Sequence, residues 1–168
     1  IAGDFLPAAG LVPTRAESWA ERAELIRPLF QDLEFGVVNL ECPLNVSGIA
    51  AKVKASLGDT FAAETEALAY LSVLRANVVG LANNHLYDYG LNGAVKTLTT
   101  VKNEFSPCGF GRSLEELADV HIRVTTTGAR VGIWAAGRNL PDSASRGTAG
   151  IEPATRERAE QALAQMDE

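Results

Sequence analysis

A buried strand that breaks into a polar loop and then a helix constrains this chain most, at residues 78–103. Val78 to Leu81 is a short apolar run with two valines, which favours a strand. Asn83, Asn84, His85 and Asp88 follow it, and neither Asn nor Asp favours a core strand. A helix is predicted from about residue 91 to 103, where apolar residues recur at helical spacing. Polar side chains between a strand and a helix lie where open α/β sheets place active sites, so we interpret the loop as functional rather than as a simple turn.

The rest of the chain alternates predicted strands and helices, which favours an α/β sheet of mixed direction. Apolar periodicity and turn residues predict strands at 1–6 and 35–40, helices at 15–32 (split near Pro28) and 65–75, and a capping-box helix from Ser113 to Glu116. A hairpin is predicted for 120–126 and 130–135, with loops at 7–13, 45–59 and 137–150 and a charged amphipathic segment at 154–168.

Length and charge limit the possible functions. The 168 residues suffice for one domain with a substantial core, and we expect a single domain over 1–168. A net charge of −6 with scattered basic residues makes nucleic acid an unsuitable partner. No run of about 18 apolar residues exists, so no membrane span is expected in this segment. Cys42 and Cys108 are expected to be buried free thiols, with one disulfide as the alternative. Both ends look cut, and we expect this to be the N-terminal part of a longer chain.

Acidic and amide residues fall at the ends of the first three predicted strands. Asp4 ends the first, Asn39 and Glu41 end the second, and Asn84 and His85 follow the third. If these strands are parallel neighbours, the five side chains converge at one sheet edge. Carboxylate, amide and imidazole ligands together suit Mn, Fe or Zn better than Ca or Mg. Two such ions could polarise a phosphoester and activate water.

Three motifs in order resemble the capsule-synthesis family typified by CapA, within the calcineurin-like metallophosphoesterase superfamily. They are Gly3-Asp4; Val38-Asn39-Leu40-Glu41 with Pro43; and Ala82-Asn83-Asn84-His85 with Asp88-Tyr89-Gly90 and Thr97. The resemblance covers most of the chain. It implies a four-layer sandwich of mixed β-sheets flanked by helices, and a surface-polymer setting often with a membrane anchor. For this segment we prefer a cytoplasmic location to an extracytoplasmic, membrane-anchored one.

The resemblance also implies roles for individual residues. Four resemble metal ligands: Asp4, Asn39, Glu41 and Asn84. The residues implied to be catalytic are Asp4, Asn84, His85 and Asp88, with Asp88 orienting His85. Those implied to contact substrate are Asn83, Asn84 and His85. His121 lies on a predicted strand and is interpreted as a cross-strand residue.

Three hypotheses follow. The first is a hydrolase that depends on a divalent transition metal and acts on a phosphoester or a glutamyl-peptide polymer. The second is a metal-free peptide Cα epimerase of natural-product maturation, because Leu6 stands where the superfamily has a histidine ligand and Asp4 would then be free for acid–base work. The third is a non-catalytic module in polymer export.

Overall fold

A computed structural model describes residues 3–7, 19–51, 60–117, 120–137, 144–145 and 147–167. Its strands are β1 (Asp4–Phe5), β2 (Gly36–Leu40), β3 (Ala76–Gly80), β4 (Ser106–Cys108), β5 (Phe110–Gly111), β6 (His121–Val124), β7 (Arg130–Ile133) and β8 (Gly150–Ile151). Its α-helices are α1 (Trp19–Ile26), α2 (Leu68–Val73), α3 (Gly90–Lys102) and α4 (Arg156–Asp167). Short 3-10 helices cover Arg27–Leu29 and Thr65–Ala67.

The central sheet contains β1, β2, β3 and β4 in that order, all parallel. Its register places Asp4 opposite Asn39, and Asn39 opposite Gly80. Because the strands are parallel, their carboxyl ends share one edge, and the polar residues that follow them are brought together there. The predicted α/β class is confirmed, but the central sheet is parallel throughout rather than mixed, because the antiparallel hairpin forms a separate sheet.

Both faces of this sheet are covered. On one face, apolar residues of β2 and β3 pack with α2 and α3; the largest buried members of this core include Val38, Leu40, Leu71, Val79 and Leu98. On the other face, a smaller cluster joins Val78, Cys108 and Ile133. Ile133 belongs to the antiparallel hairpin β6–β7, so the hairpin shields the second face.

The hairpin is where the sequence predicted it, and Gly128 in its turn has a φ of +84° that favours glycine. His121 pairs with Ile133 across it, as predicted, and its Nε2 lies 3.0 Å from the Pro107 carbonyl oxygen. Helix α4 packs against the hairpin: Gln165 Oε1 accepts a hydrogen bond of 2.9 Å from Val120 N.

The bounds of several other helices and strands differ from the predicted ones. The structure ends the predicted 15–32 helix in a 3-10 turn containing Pro28, and it starts β3 two residues earlier than predicted. The capping-box helix at Ser113 is wrong, since residues 112–117 form turns. There the Glu116 carboxylate accepts from Arg112 N at 2.5 Å, and Glu116 N makes only a 3.4 Å bond to Ser113 Oγ. The short strand β4 was not predicted at all.

Parts of some predictions lie outside the described residues: the start of the first strand (1–2), residues 8–13 of the first loop, residues 15–18 of the first helix, 52–59 of the second loop, 138–143 and 146 of the third, and residue 168. Within the described part, no helix is long and apolar enough to cross a bilayer.

Candidate functional site

The carboxyl edge of the central sheet brings together Asp4, Asn39 and Glu41. Asp4 of β1 and Asn39 of β2 are register partners, and Glu41 follows β2 directly. The Asn39 side-chain amide lies between the two carboxylates: Nδ2 donates to Asp4 Oδ1 at 2.9 Å and also to Glu41 Oε2. One neutral amide group therefore holds two acidic side chains close together.

Asn83 fixes the direction in which the Asn39 amide points. Asn83 Oδ1 accepts hydrogen bonds from the backbone N–H groups of His85 (3.1 Å) and Leu86 (2.9 Å), so its Nδ2 must face the other way. That Nδ2 donates to Leu40 O at 2.8 Å and to Asn39 Oδ1 at 3.1 Å. The Asn39 side-chain oxygen therefore accepts a hydrogen bond from Asn83, and its N–H groups face the carboxylates of Asp4 and Glu41.

The two adjacent asparagines of the loop have different environments. Asn83 is only 6 % exposed, and its amide is engaged with backbone and with Asn39. Asn84 is exposed at the same edge. The predicted contact of Asn83 with substrate stays a prediction, but its observed bonds are internal and position the loop. Asn84 is the one whose amide faces outward.

His85 and Asp88 form a hydrogen-bonded dyad. His85 Nδ1 lies 3.0 Å from Asp88 Oδ2, and the Asp88 side chain is fully buried. The same Asp88 oxygen accepts from Phe61 N at 2.8 Å, and the Phe61 ring packs on the imidazole with centroids 4.6 Å apart. A histidine held at Nδ1 by a carboxylate presents Nε2 for proton transfer. The imidazole retains 17 % exposure, which leaves a path to it.

The surroundings of Glu41 change the pKa of its carboxyl group. Burial raises the pKa of its carboxyl above the usual 4.5, and the negative charge of Asp4 raises it further. The hydrogen bond from Asn39 and the nearby His85 act in the opposite direction. Two carboxylates forced together in this way are stabilised by a shared proton or by a cation.

A divalent cation fits the Asp4–Glu41 pair, because the pair offers oxygen ligands whose mutual repulsion a cation would relieve. In this structure the Asn39 N–H groups face the carboxylates and its oxygen accepts from Asn83, so Asn39 holds the two acidic side chains in place, and its predicted role as a ligand stays a prediction. Among the residues that the structure describes, no three His, Cys, Asp or Glu side chains form a metal-holding group. The described residues therefore offer part of a ligand set.

Sequence reasoning missed Phe61 and gave Thr97 no structural role, although both residues shape the site. Phe61 carries no motif, and its role in holding Asp88 and covering His85 depends on a contact across 27 residues. Thr97 was named only as part of the resemblance. It is fully buried, donates to Gly93 O at 2.8 Å and accepts from Leu44 N at 2.9 Å, which ties α3 to the segment after Glu41.

Comparison with known proteins identifies the family of this chain. The model of one family, described as "Bacterial capsule synthesis protein PGA_cap", matches residues 1–168. No curated protein matches the chain. The match spans every position of the three motifs and confirms the resemblance found in the sequence. The chain therefore belongs to the bacterial capsule synthesis protein family.

Proposed function

We propose that this protein is a metal-dependent hydrolase acting on a phosphoester or a glutamyl-peptide polymer. One observation carries the proposal: the Asp4–Glu41 carboxylate pair, held by a single amide, lies beside a histidine oriented by a buried aspartate. This arrangement combines a place for a cation with a group able to move a proton. We further propose the four-layer sandwich as the complete fold.

His85 would protonate the leaving group. Asp88 holds the ring through Nδ1, so Nε2 is the atom that can give a proton to a departing oxygen or nitrogen. The Phe61 ring restricts rotation of the imidazole and excludes water from one side. Asp88 would act on the reaction only through His85, which makes it a positioning residue.

Asp4 and Glu41 would hold a divalent transition metal (Mn, Fe or Zn), with the exposed Asn84 amide oxygen as a further ligand. A metal bound there supplies polarisation of the scissile group and activation of water. Asn39 would keep both carboxylates in place through its N–H groups, so we assign it a supporting role.

Metal content tests this proposal. Protein purified without chelators should carry one or more of Mn, Fe and Zn, and Asp4→Asn and Glu41→Gln should lose it. Glu104→Gln is the matched control, because Glu104 is exposed and outside the site. Hydrolysis of phosphoester or glutamyl-peptide substrates should fall with metal content. Full activity after chelation would refute the metal-dependent mechanism.

The second candidate is a metal-free peptide Cα epimerase. The observation that favours it is the pairing of Glu41 with Asp4 through the Asn39 amide, where burial and the charge of Asp4 raise the pKa of Glu41 toward values suited to acid–base work. Asp4 would remove the Cα proton and keep it, while Asn84 and His85 would polarise the neighbouring carbonyl and stabilise the resulting enolate. A second acid group on the other side of the bound peptide would then donate its proton to the opposite face of Cα and complete the inversion. Solvent deuterium at the Cα of a recovered peptide would support this reaction, and a strict metal requirement would exclude it.

A further inference from the structure

The opposite edge of the central sheet contains a cavity of about 550 Å³, which we call the amino-end pocket. It lies at the start of β2 and β3, away from Asp4 and His85. The residues that matter for its chemistry are Glu34, Phe35, Arg75, Asn77, Arg123 and Val124. None of the three sequence motifs includes them.

Arg75 occupies a backbone conformation that normally selects glycine. It follows α2 with a φ of +50°, the left-handed region in which a Cβ is disfavoured. Its guanidinium lines the pocket, where Nη1 donates to Leu33 O at 2.9 Å. Because this backbone conformation favours glycine, an arginine there indicates that its side chain has a function.

Asn77 is presented by a second backbone irregularity. Gly36 pairs with Ala76 and Val37 pairs with Val78, so Asn77 is the extra residue of a β-bulge. Bulges redirect side chains, and here the exposed Asn77 amide lines the pocket two residues from Arg75. The two irregularities therefore serve the same cavity.

Arg123 supplies a second guanidinium from the hairpin. Its Nη2 donates to Ser106 Oγ at 3.1 Å, which fixes the side chain. Its Nε is buried and has no hydrogen-bond partner among the described residues. A buried cationic N–H without an acceptor is costly, so Arg123 would gain from a side-chain adjustment that turns this N–H toward an anion in the pocket.

The pocket also contains two acidic residues, and neither is paired with these arginines in the described part of the structure. Both Glu34 and Asp32 line the cavity. The Glu34 carboxylate accepts two hydrogen bonds from Thr126, one from the backbone N at 2.7 Å and one from the side-chain hydroxyl. Within the described ranges, no carboxylate forms an ion pair with Arg75 or Arg123.

We propose that the amino-end pocket binds a small organic anion, with its carboxylate or phosphate group between Arg75 and Arg123. Guanidinium groups are suited to such oxyanions because they donate parallel N–H bonds. Asn77 would donate a further hydrogen bond. Phe35 and Val124 would contact an apolar body attached to the anionic group. This inference is independent of the proposed catalytic function.

Calorimetric titration of the full chain with phenyl phosphate, phenylacetate and inorganic phosphate tests the proposal. At least one of the two organic anions should bind saturably and more tightly than inorganic phosphate, and which one does so distinguishes the two anionic groups. Arg123→Gln and Arg75→Gly should each weaken binding roughly tenfold or more. Arg130→Gln is the matched control, because Arg130 is exposed on the same hairpin and outside the pocket.

Arg75→Gly separates binding from folding. Glycine tolerates the positive φ, so this variant should unfold at the same or a higher temperature while losing the ligand. Equal affinity for inorganic phosphate would overturn the role given to Phe35 and Val124. Absence of saturable binding, or unchanged affinity in both arginine variants, would overturn the site itself.

Discussion

Alanine substitutions at the adjacent residues Asn83 and Asn84 should differ in their effect on the stability of the protein. Asn83 makes four hydrogen bonds, with the Asn39 side chain, Leu40 O and the backbone N–H groups of His85 and Leu86. At about 1 kcal/mol for each net hydrogen bond, Asn83→Ala should lower the free energy of unfolding by about 4 kcal/mol. Asn84 is exposed, so Asn84→Ala should change it by less than about 0.5 kcal/mol.

Urea unfolding followed by circular dichroism measures this difference. With a slope of about 2 kcal/mol per molar urea, the midpoint for Asn83→Ala should fall by about 2 M, and that for Asn84→Ala should stay near wild type. Asn84→Ala should nevertheless lower catalytic activity, since it removes a proposed metal ligand from a protein that stays folded. Similar midpoints for the two variants would refute the inward and outward assignment of these amides.

Three further predictions concern the buried groups near the site. Asp88→Asn removes a charge-assisted hydrogen bond from His85 and should lower kcat by about 10- to 100-fold in a steady-state assay while the protein stays folded; an unchanged kcat would exclude the dyad from the mechanism. Because the folded-state pKa of Glu41 is raised above 4.5, the stability of the metal-free wild type should decline as pH rises from about 4.5 through that pKa. In thermal melts over pH 4–8 with chelator present, Glu41→Gln should be more stable than wild type above this window, and a less stable variant at pH 8 would contradict the sign of the shift. Burial raises the pKa values of Cys42 and Cys108 to about 12, so neither thiol should react with a disulfide reagent at pH 8 unless urea is added. Rapid labelling of the native protein would contradict this prediction and show that the thiols are accessible.

The sequence predicted which residues meet at the site but not how their polar atoms are arranged. Asp4, Asn39 and Glu41 meet because Asp4 and Asn39 are register partners near the carboxyl edge of one parallel sheet and Glu41 directly follows β2. The orientation of the Asn39 amide depends on Asn83, whose bonds depend in turn on the backbone N–H groups of the following turn. Periodicity carries no information on such a series of hydrogen bonds. The ligand role of Asn39 and the substrate contact of Asn83 were implied by the resemblance alone, and both stay predictions.

The fold errors have similar physical reasons. No strand was predicted around Pro107, yet β4 contains it. The strand is the last in the sheet order and pairs within the described residues only with β3, so a missing N–H is tolerated there. Ser113 and Glu116 satisfy the spacing of a capping box, but no apolar periodic segment follows to bury a helical face. Local capping signals alone did not suffice to form a helix.

Asp4 is carried by the shortest strand of the central sheet. Strand β1 has two residues and, in the described part of the chain, pairs on one side only, through bonds such as Glu41 N to Phe5 O at 2.9 Å. Local opening of so short an edge strand requires less free energy than global unfolding. Asp4 could leave the site while β2 and β3 stay paired, so β1 amides should exchange hydrogen faster than those of β3, and activity should decline on heating before the protein melts.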